Sequence, residues 1–272
     1  MSLNLVIKRT MIVINDKAKI ESFMRRNAAL HLYELGDLDD FFFPYTTWYA
    51  HESNGQVDSI TLLYKGTELP VLLALSDSDT DSIQELLREI FNDLPDKFYC
   101  HLSPGLDEIV KERFKLEHHG RHLKMVLSDP KMPKGADISE VVQLGVSDEK
   151  EMLEFYALAY PGNWFDARML ESGQYFGLRR NGRLVSVAGI HVYSPEYKVA
   201  ALGNIATMPE LRGQGLGTKV TAALCQNLMK AVDVIGLNVL AENAGAVKCY
   251  RKLGFETCGE YGEFMAYRDG KA

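Results

Sequence analysis

Several signals that would fix a function outright are scarce or missing in this 272-residue chain. Positive charge is not concentrated: 30 Lys and Arg against 37 Asp and Glu give a formal charge of −7, with no Lys/Arg-rich run. A surface that neutralises many phosphates is not expected, which argues against nucleic acid as a partner. No apolar run approaches the roughly 20 residues that span a bilayer, so no membrane association is expected. The opening MSLNLVIKRT lacks the apolar core and small-residue cleavage site of a signal peptide, which makes a cytoplasmic protein the expectation. Cysteine is sparse. Cys100, Cys225, Cys249 and Cys258 show no C-x-x-C spacing, and two of them fall in segments that read as helices. They read as small buried hydrophobes in a reducing compartment. The histidines of EHHGRH (His118, His119 and His122) lie in a charged stretch that reads as a solvated hairpin, and no metal is expected.

What is present is a globular balance, 46% hydrophobic residues against 25% charged, in a chain long enough for one large domain or two ordinary ones. The clearest break is SDPKMPKGAD (Ser128 to Asp137), where two prolines, a glycine and mixed charge interrupt the apolar periodicity. Domains are therefore expected at 1–130 and 136–272. Past the break the periodicities predict a strand in ISEVVQLG, a helix from about Asp148 through Tyr160 and a short helix after Trp164. Strands follow near 174–178, 184–193 and 199–207, then a helix from Leu216, a buried strand over 234–240 and a helix over 244–253 stopped by Gly254. YGEFMAYR gives a last strand. The first half reads in the same order, with a helix over 16–30, strands near 46–51, 59–64 and 69–75, a helix over 82–91, a strand over 97–101, a helix over 106–113 and a strand over 123–127. That is a weak internal repeat of architecture.

Within the second half, MPELRGQGLGTK packs Gly213, Gly215 and Gly217 into the start of an amphipathic helix on which Val220, Ala223, Leu224 and Leu228 recur. Glycine carries the largest backbone entropy loss on folding, so three in this turn imply something that side chains would obstruct, a phosphate-bearing ligand first of all. A Walker loop fails, because no glycine stands five residues ahead of a Gly-Lys pair. A dinucleotide fingerprint fits poorly, because Thr218 stands where its third glycine should be and MPELR separates the turn from the strand. At the corresponding place the first half has SDSDTDS, which sets Asp77, Asp79 and Asp81 around a helix start. Those carboxylates cap a helix and would repel a pyrophosphate. A calcium loop is rejected, since Ser82 and Arg88 stand where it needs glycine and glutamate.

The remaining pattern, R-x-x-G-x-G over Arg212 to Gly217 after a strand ending NIATMPE, resembles the GCN5-related N-acetyltransferase (GNAT) superfamily. So does ENAGAVKCYRKLGF, where Asn243, Ala246, Tyr250, Gly254 and Phe255 reproduce N-x-x-A-x-x-x-Y-x-x-x-G-F. The resemblance covers Ile138 onward, and the tandem arrangement further resembles glycine N-acyltransferase-like proteins. It implies an α/β (α+β) fold of two such domains, each a mixed, mostly antiparallel sheet flanked by helices, the first degenerate. It also implies acetyl-CoA as co-substrate without a metal, and direct acetyl transfer to a primary amine of a small molecule. The backbone of Arg212, Gly213, Gln214, Gly215, Leu216, Gly217 and Thr218 would hold the pyrophosphate. Ile205, Ala206 and Thr207 would pair with the pantetheine arm and polarise the thioester carbonyl. Asn243 belongs to the same cofactor set, and Tyr250 would protonate the leaving thiolate. Taken without the resemblance, Asn243 is a helix cap and Tyr250 a packing residue. The acceptor pocket would draw on FYALAYPGNWFDARM, with Tyr156, Tyr160, Trp164 and Phe165 as candidates. No carboxylate stands on the strand before the turn, and Asn238 occupies the next strand, so a water relay, His191 or Glu242 is left to take the amine proton. A homodimer is compatible with all of this. Two other readings stay open, an amino-acid N-acyltransferase of the glycine type and a non-catalytic acyl-CoA-binding sensor.

Overall fold

Trp48, fully buried in the middle of TTWYAHES, belongs to a strand whose partners are set by alternation, and short strands of this kind alternate with helices along the whole chain. The computed structural model describes residues 9–77, 80–163 and 165–268. Contact density divides it into two units, one made of the residues up to His122 with those from Gly259 onward, the other of Leu123–Cys258.

The first unit runs β1 (Thr10–Ile14), α1 (Lys17–Met24), α2 (Leu32–Gly36), β2 (Thr46–Ser53), β3 (Gln56–Tyr64), β4 (Val71–Ala74), α3 (Asp81–Ile90), β5 (Lys97–Leu102), α4 (Leu106–Val110) and the start of β6 (Phe114–Leu127). The second continues with the end of β6, α5 (Lys131–Lys134), β7 (Val141–Leu144), α6 (Glu149–Ala159), β8 (Tyr175–Arg180), β9 (Arg183–Ser194), β10 (Val199–Thr207), α7 (Leu216–Leu228), β11 (Val234–Leu240), α8 (Ala244–Lys252) and the start of β12 (Phe255–Arg268). β6 and β12 each contribute a part to both units.

Strand order in the first unit is β1-β2-β3-β4-β5-β12-β6. β4 and β5 are parallel, while β1–β2, β2–β3, β3–β4 and β5–β12 are antiparallel. In the second unit the order is β12-β6-β11-β10-β9-β8-β7, with β10–β11 parallel and β7–β8, β8–β9 and β9–β10 antiparallel. Each unit is thus the mixed, mostly antiparallel sheet with flanking helices that was expected. α3 buries Ile83, Leu86, Leu87 and Ile90, a single helical face, in the first core. α7 buries Val220, Ala223, Leu224 and Leu228. Gly254 stops α8 at φ +81°, and a Cβ there would lie 2.6 Å from the Asp129 carbonyl, so glycine is required on both counts.

Two local expectations are corrected, and two further features were not read from the sequence. EHHGRH is no hairpin but the middle of β6: the apolar alternation of Phe114 and Leu116 resumes one residue out of phase at Leu123 and Met125, and Gly120, at φ +130°, lies between them. The helix expected over 16–30 ends at Met24 and passes into a tight turn, where the Asn27 side chain takes the N–H of Leu30 and competes with the helix ladder. β1, whose five residues carry no clear period, had no sequence signal. The strand in YGEFMAYR pairs through Gly262–Tyr267 with β5 of the first unit, and contact density sets the division of the units at His122/Leu123. Asp79 and Trp164 lie outside the described residues.

Candidate functional site

β10 and β11 run side by side only from Val199↔Val234 to Leu202↔Leu237. Beyond that point β10 continues to Thr207 with no β11 partner, so the two strands part. The cause lies on the other edge of β10. Its register with β9 shifts between Gly203 and Ala206, and Asn204 sits there in the left-handed region at φ +52°, a β-bulge that bends the strand. Ala206 and Thr207 therefore keep their β9 side paired, and the stretch from Ile205 to Thr207 has no β11 strand on its other side. Ser186 fixes this segment, its hydroxyl 3.1 Å from the Ala206 carbonyl and 2.8 Å from Thr207 Oγ1.

The glycine turn follows. Gly213 and Gly215 adopt φ +79° and +80°, and Gly215 is the residue before α7. A Cβ at either would meet nothing within 4 Å, so their backbone conformation, not crowding, demands glycine, and the space over them is open. Gly217 differs: its Cβ position lies 3.4 Å from Thr207 Oγ1, close packing that seats α7 against the end of β10. Leu216 is buried, and Thr218 Oγ1 meets Cys249 Sγ of α8 at 3.2 Å. The first N–H groups of α7 have no intrahelical acceptor, and with the positive helix end they form a place for an anion. Arg212 acts as a strut: Nε donates to the Thr207 carbonyl and Nη2 to the Ala159 carbonyl, both at 3.2 Å. Gln214 is exposed beside it. Lys219 is engaged elsewhere, 2.8 Å from Glu140, whose carboxyl Arg180 and Lys219 together draw down to about 2.

Downstream, Asn243 caps α8, its Oδ1 accepting the Ala246 N–H at 3.2 Å. Tyr250 is buried on α8 with its ring edge-on to Phe255 at 6.1 Å. Asn238, on β11 just past the last pair with β10, has a buried Oδ1 without a hydrogen-bond partner among the described residues.

On β9 and β10 the bulge gathers a second group of side chains. Tyr156 of α6 donates its hydroxyl to the Asn204 carbonyl at 2.6 Å. Asn204 Nδ2 donates to the Tyr175 hydroxyl at 3.0 Å, and Asn204 Oδ1 lies 3.4 Å from His191 Nε2. Phe165 stands between Tyr156 and Tyr175, with ring centroids at 5.0 and 5.6 Å. Of the acceptor-side residues named from sequence, His191, Tyr156 and Phe165 therefore share one constellation. Tyr160 stands apart, 46% exposed at the end of α6. Tyr175 and Asn204 were missed. The only sequence signal for Asn204 is an amide inside the apolar run VAALGNIAT, and Tyr175 had none.

The first unit handles the same stretch differently. β4 and β5 stay paired to Ala74↔Leu102, and Ser103 then extends the contact: its N–H donates to the Ala74 carbonyl at 3.0 Å, and its hydroxyl bonds both the N–H and the carbonyl of Ser76. At the head of α3, Ser82 donates its hydroxyl to Ser59. Asp77 accepts from Asn27 Nδ2. Among the described residues no group of three His, Cys, Asp or Glu could hold a metal ion, and no helix is long and apolar enough to cross a membrane.

Comparison with known proteins agrees with this geometry. The family model described as acetyltransferase (GNAT) family matches residues 141–255. The [ribosomal protein bS18]-alanine N-acetyltransferase of Escherichia coli K12 is 34% identical over 97 residues, 35% of this chain; the match spans 64% of that relative's length. Among solved structures, a Drosophila protein superposes with a TM-score of 0.68 at 13% identity, covering 96% of this chain and 99% of its own. A tandem GNAT protein from the clavulanic acid biosynthesis pathway gives 0.55 at 14% identity, covering 97% and 100%. At such identities the two structures speak for the fold alone. Residues 141–255, which hold the parted strands, the glycine turn and the capped α8, are a domain of the GNAT acetyltransferase family.

Proposed function

We propose that the chain is an acetyl-CoA-dependent N-acetyltransferase that moves an acetyl group directly from the thioester to a primary amine of a small molecule. The observation that carries this reading is the parting of β10 from β11 directly ahead of the two left-handed glycines that open α7. An elongated ligand with a pyrophosphate fits that arrangement: the phosphates at the head of α7, and the thioester end along the free edge of Ile205 to Thr207. The unpartnered amides of that edge would stabilise the charge that develops on the carbonyl oxygen. Tyr250 is assigned the proton that the departing thiolate needs. Arg212 keeps the turn in place through the Thr207 and Ala159 carbonyls rather than by gripping phosphate, and Asn243 supports the site as a helix cap.

The alternatives of glycine-type acylation and of acyl-CoA sensing share the same groove and differ in turnover. The E. coli relative, which by its name acts on an alanine of a ribosomal protein, adds peptide α-amines to the acceptors worth testing. Thiol release from acetyl-CoA is measured over a panel of small amines, amino acids and an alanine-initiated peptide. Release stimulated by a small amine supports the reading. Binding of acetyl-CoA without stimulated release by any amine would favour the sensor.

A further inference from the structure

An ammonium must lose a proton before its nitrogen can attack, yet neither β10 nor β11 offers a carboxylate. We propose that His191 accepts that proton through Nδ1, and that Asn204 is the positioning residue that fixes the ring in the tautomer this requires. The inference rests on the acetyl-transfer reading above and adds to it the base.

Hydrogen-bond bookkeeping around Asn204 decides the tautomer. The Tyr175 hydroxyl lies 3.2 Å from the Ile190 carbonyl and 3.2 Å from Met169 Sδ, both acceptors only, so its one proton is committed to that side. Its oxygen can then only accept from Asn204, which turns the amide Nδ2 toward Tyr175 and Oδ1 toward His191. An amide oxygen cannot donate, so His191 Nε2 carries the hydrogen and Nδ1 keeps its lone pair. The Asn204 backbone cannot swing away, because its carbonyl is held by the Tyr156 hydroxyl and its φ is +52°.

The ring is also in the right place. His191 packs flat on Gly203, where a Cβ would stand 2.2 Å from ring Cδ2, and Gly203 directly follows Leu202, the last β10 residue paired with β11. Desolvation by the surrounding protein holds the imidazole pKa below the ordinary histidine value, while part of the residue stays exposed to solvent. The Asn204 amide meets it from β10, and Tyr175 of β8 and Tyr156 of α6 hold Asn204 in turn; none is charged at neutral pH. The ring is therefore neutral and available at pH 7.

In the step itself, the ammonium gives one proton to His191 Nδ1, and the lone pair so freed bonds the thioester carbonyl carbon. As the carbon–sulfur bond breaks, Tyr250 gives its proton to the sulfur and is restored by the second nitrogen proton, so the products are the amide, the free thiol and an imidazolium that discharges to solvent.

Nitrogen-15 NMR of histidine-labelled protein without ligand should show His191 as the Nε2–H tautomer, titrating below 6.5. Asn204→Asp, which tolerates the left-handed backbone, places a carboxylate at Nε2. It should move the acid limb of kcat/KM upward by about one pH unit with acetyl-CoA affinity unchanged. His191→Gln should lower kcat at pH 7 by about 100-fold or more and recover toward pH 10. An Nδ1–H tautomer, or a His191→Gln enzyme within about 3-fold of the parent with an unchanged pH profile, overturns the proposal while acetyl transfer stands. Failure of the parent protein to bind acetyl-CoA removes the acetyl-transfer reading itself and this proposal with it, even where the tautomer is Nε2–H.

Discussion

Ser103 bonds both backbone groups of Ser76 through a single hydroxyl, at 3.0 Å to the N–H and 3.1 Å to the carbonyl. This serine is almost fully buried, and it ties together the residues just past the last β4–β5 pair, whereas β10 runs on to Thr207 without a β11 partner. The segments that follow β4 and β5 are thus tied to each other, and the first unit is not expected to take a ligand between them. Calorimetric titration with acetyl-CoA should give one site per chain. Two sites per chain would mean that the first unit opens on binding and that Ser103 is no latch.

Gly215 tests the turn. Gly215→Asp brings a carboxylate to the head of α7, and acetyl-CoA binding should be lost. Gly215→Asn adopts the same left-handed backbone without the charge and separates the two effects. We expect the asparagine variant to bind with affinity reduced by about 10-fold or less, equivalent to at most about 1.4 kcal/mol, and both variants to remain folded by circular dichroism. Undiminished binding by the aspartate variant would place the phosphates elsewhere.

For Tyr250, the phenylalanine substitution keeps the ring that lies against Phe255 and removes only the hydroxyl. A coenzyme A thiol with a pKa near that of free cysteine, about 8.5, leaves partly unaided, so the loss in kcat should fall between about 10- and 1,000-fold, with acetyl-CoA affinity little changed. Unchanged turnover with a lower Tm would make the hydroxyl a structural group. Loss of binding with the fold intact would favour the sensor reading.

Asp37 supplies a pH dependence of stability. Burial, then the neighbouring Glu34, raises its carboxyl well above 3.8. It also stands at the negative end of α2, where an anion is unfavourable. The folded state thus binds this proton more tightly than the unfolded chain. The contribution is fully present below 3.8 and is lost as pH rises through the elevated folded value. Asp37→Asn should raise Tm at pH 7 and flatten the gain the parent shows on acidification toward pH 5. A thermal melt with no difference at either pH would show that Asp37 is solvated as an ordinary carboxylate.

The parts of the site that could be read from sequence were those whose chemistry is local. Gly213 and Gly215 announce a backbone no other residue adopts easily, and Asn243 announces a helix start; both follow from a few adjacent residues. Asn204 could not be found that way, because a bulge exists only relative to the register of β9 and the last pair with β11. Tyr175 matters because Gly189 leaves it room, a Cβ there lying 2.1 Å from its ring, and that is a relation between two strands. The latch at Ser103 was invisible for the same reason: a serine after a strand signals nothing until Ser76 stands opposite. Trp164, prominent in the sequence, lies outside the described residues, and Tyr160 turned out to face solvent.

β12 also sets a timetable. Its Gly262–Tyr267 stretch fills the edge of β5, and Glu263 on it accepts a hydrogen bond from Tyr99, 164 residues earlier. A ribosome making this chain releases the residues of β5 long before those of β12, so the first unit cannot complete its sheet while the second is still being synthesised. Unlike a chain whose leading domain finishes first, this one should carry an unpaired, aggregation-prone strand edge through most of translation, and the half that emerges early is committed to folding late.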